Sequence, residues 1–310
     1  MSAPLLQAEP TPMLAEGLEL YVEIMRSAKP SGRSADRLRA DATAAKLQCP
    51  LPSGMKTFTT FIVRQGQEIA VKVYQPGGPI WRPAICYFHG GGFTFGSIES
   101  FDSVAAGLAE YTGAVVASVQ YRRLPENSYR SAQEDCYAAL VWLFDHADDL
   151  GIDPARIAVA GDSVGATLAT ASAAMAGERN GPRLACQILL YGAFAMRRHA
   201  VSTDPLLTPA RIESFVSLYD SQQDPPPLAR GDLSKLPPAV MLAAEYDPLR
   251  EESLEYARRL RESGIPVDVS VAPGMIHGFL RARKMCPAAD RQLVELARRV
   301  REHLWPAIAQ

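Results

Sequence analysis

The sequence predicts an α/β fold with a mainly parallel central sheet flanked by helices. Two observations carry that prediction. Short runs rich in Val, Ile, Ala and Leu alternate with longer amphipathic segments from about Lys56 to the end of the 310-residue chain. Most of those runs are continuously apolar, as strands buried on both faces must be.

The elements follow in order. Leu14, Leu18, Tyr21 and Met25 fall on one helical face, and a second helical stretch spans Ala35–Leu47, closed by Pro50 and Pro52. No strand pattern occurs there, so residues 1–55 read as a helical appendage. Thr57–Arg64 and Ile69–Gln75, separated by Gln65-Gly66-Gln67, predict a hairpin and an antiparallel edge. Further strands are predicted at Ala84–Phe88, Ala114–Val119, Ile157–Ala160, Cys186–Tyr191, Ala239–Ala244 and Val267–Ala272. Between and after them lie helical patterns at Phe101–Tyr111, Ala132–Asp148, Val164–Ala176, Leu249–Ser263 and Asp290–His303. The alternation breaks once, between Arg197 and Leu236, where a helix is expected at Pro209–Tyr219 before three consecutive prolines. An insertion of that length is expected to form a lid or a pocket wall.

Composition narrows the function classes. Apolar residues make up 47% and charged residues 21%, ordinary for a globular protein able to bury roughly three quarters of its surface. The net charge of −2 argues against a nucleic-acid partner. The arginine clusters Arg258-Arg259 with Arg261, and Arg281 with Arg283, read as solvated faces. The five cysteines, Cys49, Cys86, Cys136, Cys186 and Cys286, form no C-x-x-C pair and read as small core residues, which suits a cytoplasmic location. No secretory leader is visible, and no apolar stretch is long enough to span a membrane.

The sharpest chemical signal is Gly161-Asp162-Ser163-Val164-Gly165, between a buried strand and a small-residue helix. Strand, tight turn and helix are the context that presents a serine hydroxyl at a strand's carboxyl end, with a helix N-terminus behind it. Asp162 reads as a structural hydrogen-bonding residue. A second signal, His89-Gly90-Gly91-Gly92-Phe93, follows another buried strand, and its glycines free main-chain N–H groups to face a site. His89 reads as support for that loop. An activated serine needs a base and an orienting carboxylate. Of the five histidines, His146 and His303 fall on amphipathic helices, and His199 lies in the insertion. His277 follows the last predicted strand, and Asp247 follows the strand before it. A helix N-cap is the alternative role for Asp247, because Pro248 suits a helix start. The chain order Ser163, Asp247, His277 is that of nucleophile, acid and base in α/β-hydrolases.

With these residues in view, the sequence resembles the hormone-sensitive-lipase-like esterases, in the bacterial branch with a GDSAG-type elbow. The matching stretches are HGGGF (His89–Phe93), QYRRLPEN (Gln120–Asn127), EDCYAAL (Glu134–Leu140), GDSVG (Gly161–Gly165), LPPAVMLAAEYDPLREE (Leu236–Glu252) and GMIHGF (Gly274–Phe279). The resemblance runs from about Lys56 to the C-terminus, and the helical N-terminus resembles the family's cap. It implies an α/β-hydrolase catalytic domain over 56–310, a cap segment over 1–55 and a cap insertion over 197–236. It implies Ser163, Asp247 and His277 as catalytic residues and the N–H groups of Gly91, Gly92 and Val164 as the oxyanion hole. It further implies small-molecule esters with short-to-medium acyl chains as substrates, no cofactor or metal, and a homodimer formed through the sheet edge. Amide, lactone or formamide hydrolysis by the same residues, and a non-catalytic small-molecule receptor on the same fold, are the competing expectations. The departures from the family pattern are Val164, Ala166 and Thr167 at the elbow, which bear on pocket width, and the segment Tyr121-Arg122-Arg123-Leu124-Pro125-Glu126.

Overall fold

The computed structural model describes residues 12–27, 44–64, 66–78, 80–222 and 224–306. Among the described residues eight strands form one sheet in the order β1-β2-β4-β3-β5-β6-β7-β8. They are β1 Lys56–Arg64, β2 Gln67–Gln75, β3 Arg82–Phe88, β4 Val115–Val119, β5 Ile152–Asp162, β6 Gln187–Leu190, β7 Ala239–Ala244 and β8 Val267–Ala272. β2 runs antiparallel to both of its neighbours, and all remaining pairs from β4 to β8 are parallel. The predicted hairpin is present, with Arg64 opposite Gln67. β5 is longer than its apolar run, because Ile152 also pairs with Arg82 before a register shift.

The two faces of the sheet carry separate apolar layers, set by the two-residue period of the strands. Cys86 and Phe88 of β3 point into one layer, and Ile85 and Tyr87 into the other. We number the helices α1 Leu18–Ser27, α2 Asp102–Thr112, α3 Tyr129–Asp145, α4 Ala147–Leu150, α5 Val164–Glu178, α6 Pro209–Asp220, α7 Arg250–Glu262 and α8 Pro287–Leu304. Leu140 of α3, Leu168 of α5 and Leu260 of α7 fill the first layer, and Leu18 of α1, Leu108 of α2 and Leu296 of α8 fill the second. All six are essentially inaccessible, and burial of each such side chain contributes about 1.5–3 kcal/mol.

Local chemistry sets the helix ends. The Ser128 hydroxyl caps α3 by accepting from Ser131 N at 3.1 Å, and Thr208 caps α6, whose first residue is Pro209. Gly113, at φ 73°, ends α2 in a left-handed conformation. The helical pattern predicted to reach Asp148 breaks at His146, so α3 and the single turn α4 are separate. The expected second N-terminal helix falls mostly on residues outside those described; its described end, Ala45–Leu47, is a 3₁₀ turn. Leu14 precedes α1 instead of lying on it, yet packs against the second layer.

One expectation from the charge pattern is overturned. Arg281 and Arg283 do not form a solvated face: they are 8% and 9% exposed. The cause is a 3₁₀ turn at Phe279–Ala282, which folds both side chains back toward α2 and the loop before it. Arg258 behaves as expected, exposed and paired with Glu262 four residues on, whereas Arg259 bonds the carbonyls of Leu228 and Arg230.

Candidate active site

Four loops leave the carboxyl ends of parallel strands and converge. The glycine loop follows β3, Ser163 follows β5, Asp247 follows β7 and His277 follows β8. β3 and β5 are neighbours, so the glycine loop lies beside the serine. Crevices at the carboxyl ends of such strands are the usual position for ligands in open α/β sheets.

Ser163 holds a backbone conformation of φ 56°, ψ −123°, which a non-glycine residue adopts only at a cost of about 1–3 kcal/mol. The turn closes because its flanking glycines let main chains approach. A Cβ on Gly161 would collide with the Gly165 carbonyl, and one on Gly165 would collide with Phe88 O. The serine N–H donates to Leu190 O at 2.9 Å, which fixes the turn against β6. Its side chain therefore leaves the sheet at the N-terminus of α5.

His277 connects the serine to a carboxylate. Its Nε2 lies 2.8 Å from Ser163 Oγ, and its Nδ1 lies 2.7 Å from Asp247 Oδ2. The Asp247 carboxylate is fully buried, and its second oxygen accepts from Leu249 N at 2.8 Å. Asp247 is not a helix cap: α7 begins at Arg250, its N-cap position is Leu249, and no side chain caps it. The Asp-Pro turn instead frees one carboxylate oxygen for the imidazole. Burial opposes a charge on His277, but the Asp247 carboxylate with its hydrogen bond, joined by Asp204 and Asp162, holds the imidazole above its ordinary pKa. The two loops are also tied together, by Tyr246 N to Met275 O at 2.9 Å and Gly274 N to Glu245 Oε2 at 2.6 Å.

The glycine loop bends on its own hydrogen bonds, Thr94 N at 3.0 Å and Phe95 N at 2.8 Å, both to Gly91 O. Gly91 and Gly92 adopt φ 115° and 58°, and a Cβ on Gly91 would meet Phe95 O at 2.5 Å. Both glycines line the pocket with Ser163. Among the described residues, no acceptor is found for the N–H groups of either glycine. Val164 is the first residue of α5, where helical N–H groups lack partners within the helix.

His89 and Asp162 brace this loop from beneath. The His89 ring stacks on Tyr121 at 4.4 Å, its Nδ1 donates to Gly90 O at 2.8 Å, and burial pushes its pKa down to about 3. Asp162 Oδ1 accepts from Gly90 N at 2.9 Å and from Tyr87 Oη at 2.6 Å, and burial pushes its carboxyl up to about 6. Neither side chain bonds Ser163. His146, His199 and His303 lie elsewhere; His199 is 3.9 Å from Glu252.

Two contributions escaped the sequence. Asp204, in the insertion, is buried; its Oδ1 accepts from Leu206 N and Leu207 N, and its Oδ2 accepts from His277 N at 2.6 Å. Its only local signal is the turn-forming pair Asp204-Pro205. Tyr21 of α1 donates to Gly278 O at 3.0 Å, directly after His277, and burial pushes its pKa up to about 12. The pocket above Ser163 has a volume of about 340 Å³ and is walled by Tyr21 and Met25 from α1 and by Leu206, Leu207 and Phe215 from the insertion. A wider groove of about 920 Å³ lies at the opposite end of β5, beside Pro154 and Arg156, away from the serine. Among the described residues no group of three His, Cys, Asp or Glu side chains is placed to hold a metal ion.

Known proteins share this arrangement of chain. Residues 85–281 match the family model described as the alpha/beta hydrolase fold. A carboxylesterase of Mycobacterium tuberculosis is 38% identical over 239 residues, covering 72% of this chain and 74% of its own. The ethyl acetate hydrolase of Pseudomonas putida is 36% identical over 256 residues, 78% of this chain and 80% of its own. Among solved structures, an esterase of Pyrobaculum calidifontis superposes with a TM-score of 0.82 at 32% identity, covering 91% of this chain and 97% of the other.

Proposed function

The chain belongs to the hormone-sensitive-lipase-like esterases of the α/β-hydrolase fold and hydrolyses ester bonds, and we propose that it does so with Ser163 as nucleophile, His277 as base and Asp247 as the orienting acid. The observation that carries this reading is the continuous relay from Ser163 Oγ through His277 to Asp247, with both links under 3 Å. As Ser163 attacks the ester carbonyl, its proton passes to His277 Nε2, while Nδ1–H stays bonded to Asp247. The oxyanion of the tetrahedral intermediate accepts from the N–H groups of Gly91, Gly92 and Val164. His277 then gives the proton to the departing alcohol. Water, deprotonated by the same imidazole, attacks the acyl-serine and releases the acid, and Ser163 regains its proton. Asp247 holds the imidazole tautomer and stabilises the imidazolium.

Residues 1–55 and 197–236 serve, in this reading, as the cap over a catalytic domain of 56–310. Tyr21, Leu206 and Phe215 lining one pocket support it. The small volume favours short and medium acyl chains. A cytoplasmic location is supported by five unpaired thiols, four of them buried. A homodimer through the outer edge of β8 is supported by the half-open burial of that strand and the exposed Val271.

A graded series of p-nitrophenyl esters, from acetate to laurate, tests the reading. Turnover is expected to be highest among the shorter chains and to fall by a factor on the order of 10⁶ in Ser163→Ala. Undiminished hydrolysis by a folded Ser163→Ala protein would contradict it.

A further inference from the structure

The pocket beside Ser163 contains two guanidinium groups that hydrolysis of a neutral ester does not use. Arg281 lines the pocket although it is only 8% exposed. Its Nε donates to Ser100 O at 3.0 Å, and its guanidinium lies 4.5 Å over the Phe101 ring. Neither partner is an anion. Arg211 enters the same pocket from α6 and donates through Nη1 to Leu206 O at 2.9 Å. Among the described residues, neither arginine forms an ion pair.

The nearby carboxylates are committed elsewhere. Asp247 serves His277 and Leu249 N, and Asp204 accepts three N–H groups and acts on Arg211 electrostatically without contacting it. Asp162 lines the pocket and acts on Arg281 electrostatically, but its Oδ1 is held by Tyr87 and Gly90. Arg283 supplies the contrast. It is buried as deeply, two residues along the same segment, and is matched by Asp290 at 2.6 Å and Glu110 at 3.4 Å. The arginine facing the structural interior is thus paired, and the one facing the pocket is not. Arg281 is a buried cation with no carboxylate in direct contact, which is costly, whereas Arg211 lies exposed at the pocket rim. Guanidinium is also the side-chain group whose planar fork fits a carboxylate.

We propose that the preferred substrates are short esters that carry a carboxylate, held by Arg281 and Arg211 while the ester carbonyl lies at Ser163. The proposal rests on the esterase reading above and adds the substrate class. Tyr21 belongs to this wall: its hydroxyl lies within electrostatic reach of both guanidinium groups. The hydrolysis itself is unchanged, and the substrate's carboxylate takes no part in bond making or breaking.

The test compares kcat/KM for charged and neutral substrates in two arms. One places the carboxylate on the acyl half, mono-p-nitrophenyl glutarate against p-nitrophenyl hexanoate. The other places it on the alcohol half, the butyryl ester of glycolic acid against ethyl butyrate. In at least one arm the charged ester is expected to exceed the neutral one by about tenfold or more. That ratio is expected to fall by at least about tenfold in Arg281→Met and in Arg211→Met, and by less in Arg281→Lys, which keeps the charge but loses the planar fork. If Arg281→Met does not fold, Arg211→Met on the solvent-facing side of the pocket carries the same comparison. Preference for the neutral ester in both arms, or an unaltered ratio in Arg211→Met, overturns the proposal. Neutral esters cleaved in a Ser163-dependent way with charged ones rejected would remove this inference alone. No Ser163-dependent cleavage of any ester would remove the esterase reading instead.

Discussion

The main-chain N–H of His277 donates to the Asp204 carboxylate at 2.6 Å, so the insertion and the base loop are joined by one charge-assisted hydrogen bond. Asp204 is 73 residues away from His277 in sequence, yet it sets both the position of the imidazole and part of its electrostatic environment. Asp204→Ala is therefore expected to lower kcat by about tenfold and to cost about 1–3 kcal/mol of stability from unsatisfied N–H groups. It is also expected to shift the acid limb of the rate profile to lower pH, because Asp204 helps hold the His277 pKa up. A rate loss with an unmoved limb would assign Asp204 a purely structural part.

The pH dependence follows from His277. As the proposed base, His277 works only when neutral, and its pKa is raised: burial opposes the charge, but the carboxylates of Asp247, Asp204 and Asp162 together outweigh burial. The kcat/KM profile should therefore rise with pH along a limb centred above the ordinary imidazole pKa of about 6.5. His89, with its pKa pushed down to about 3, stays neutral throughout and contributes no limb. A kcat/KM profile from pH 5 to 9 checks both points, and a limb centred below the ordinary value contradicts them.

Asp247→Asn keeps the size of the side chain and removes its charge. By the logic of other triads, kcat should fall by about 10⁴, because the imidazole loses its tautomer and its stabilised cation. The limb that remains should move to lower pH. A near-wild-type rate in a folded variant would mean that another carboxylate orients the ring.

Gly91→Ala tests the proposed oxyanion loop. A methyl group there meets Phe95 O at 2.5 Å and φ 115° is strained for alanine, so the loop must shift. Displacing one oxyanion donor costs about 2.7–4 kcal/mol of barrier, a fall in kcat of about 10²–10³ with KM little altered. Steady-state kinetics on p-nitrophenyl butyrate measures it, and a loss confined to KM would place Gly91 outside the reacting centre.

The sheet was legible because buried parallel strands leave continuous apolar runs, as in β7, and because an edge strand such as β8 alternates apolar and polar residues; both begin and end at the predicted residues. The elbow was legible because its glycines answer a local steric demand that both Gly161 and Gly165 meet within five residues. Asp204 was not, since its partner lies across the fold and its own surroundings resemble any Asp-Pro turn. Arg281 and Arg283 were misread for a related reason. Charge spacing reports a helix face, whereas Arg281 lies on a 3₁₀ turn and Arg283 directly follows it, and the direction of that turn is fixed by hydrogen bonds to Ser100 and Ser103. Tyr21 was seen as a helix-face residue, but its bond to Gly278 depends on how α1 docks, which no periodicity encodes.

The most direct measurement is mass spectrometry of the protein after exposure to a fluorophosphonate, which reacts only with an activated serine. A single adduct is expected, mapped to Ser163, absent from Ser163→Ala and formed far more slowly in Asp247→Asn. An unlabelled wild-type protein, or an adduct on another residue that persists in Ser163→Ala, would contradict the assignment of Ser163 as the nucleophile.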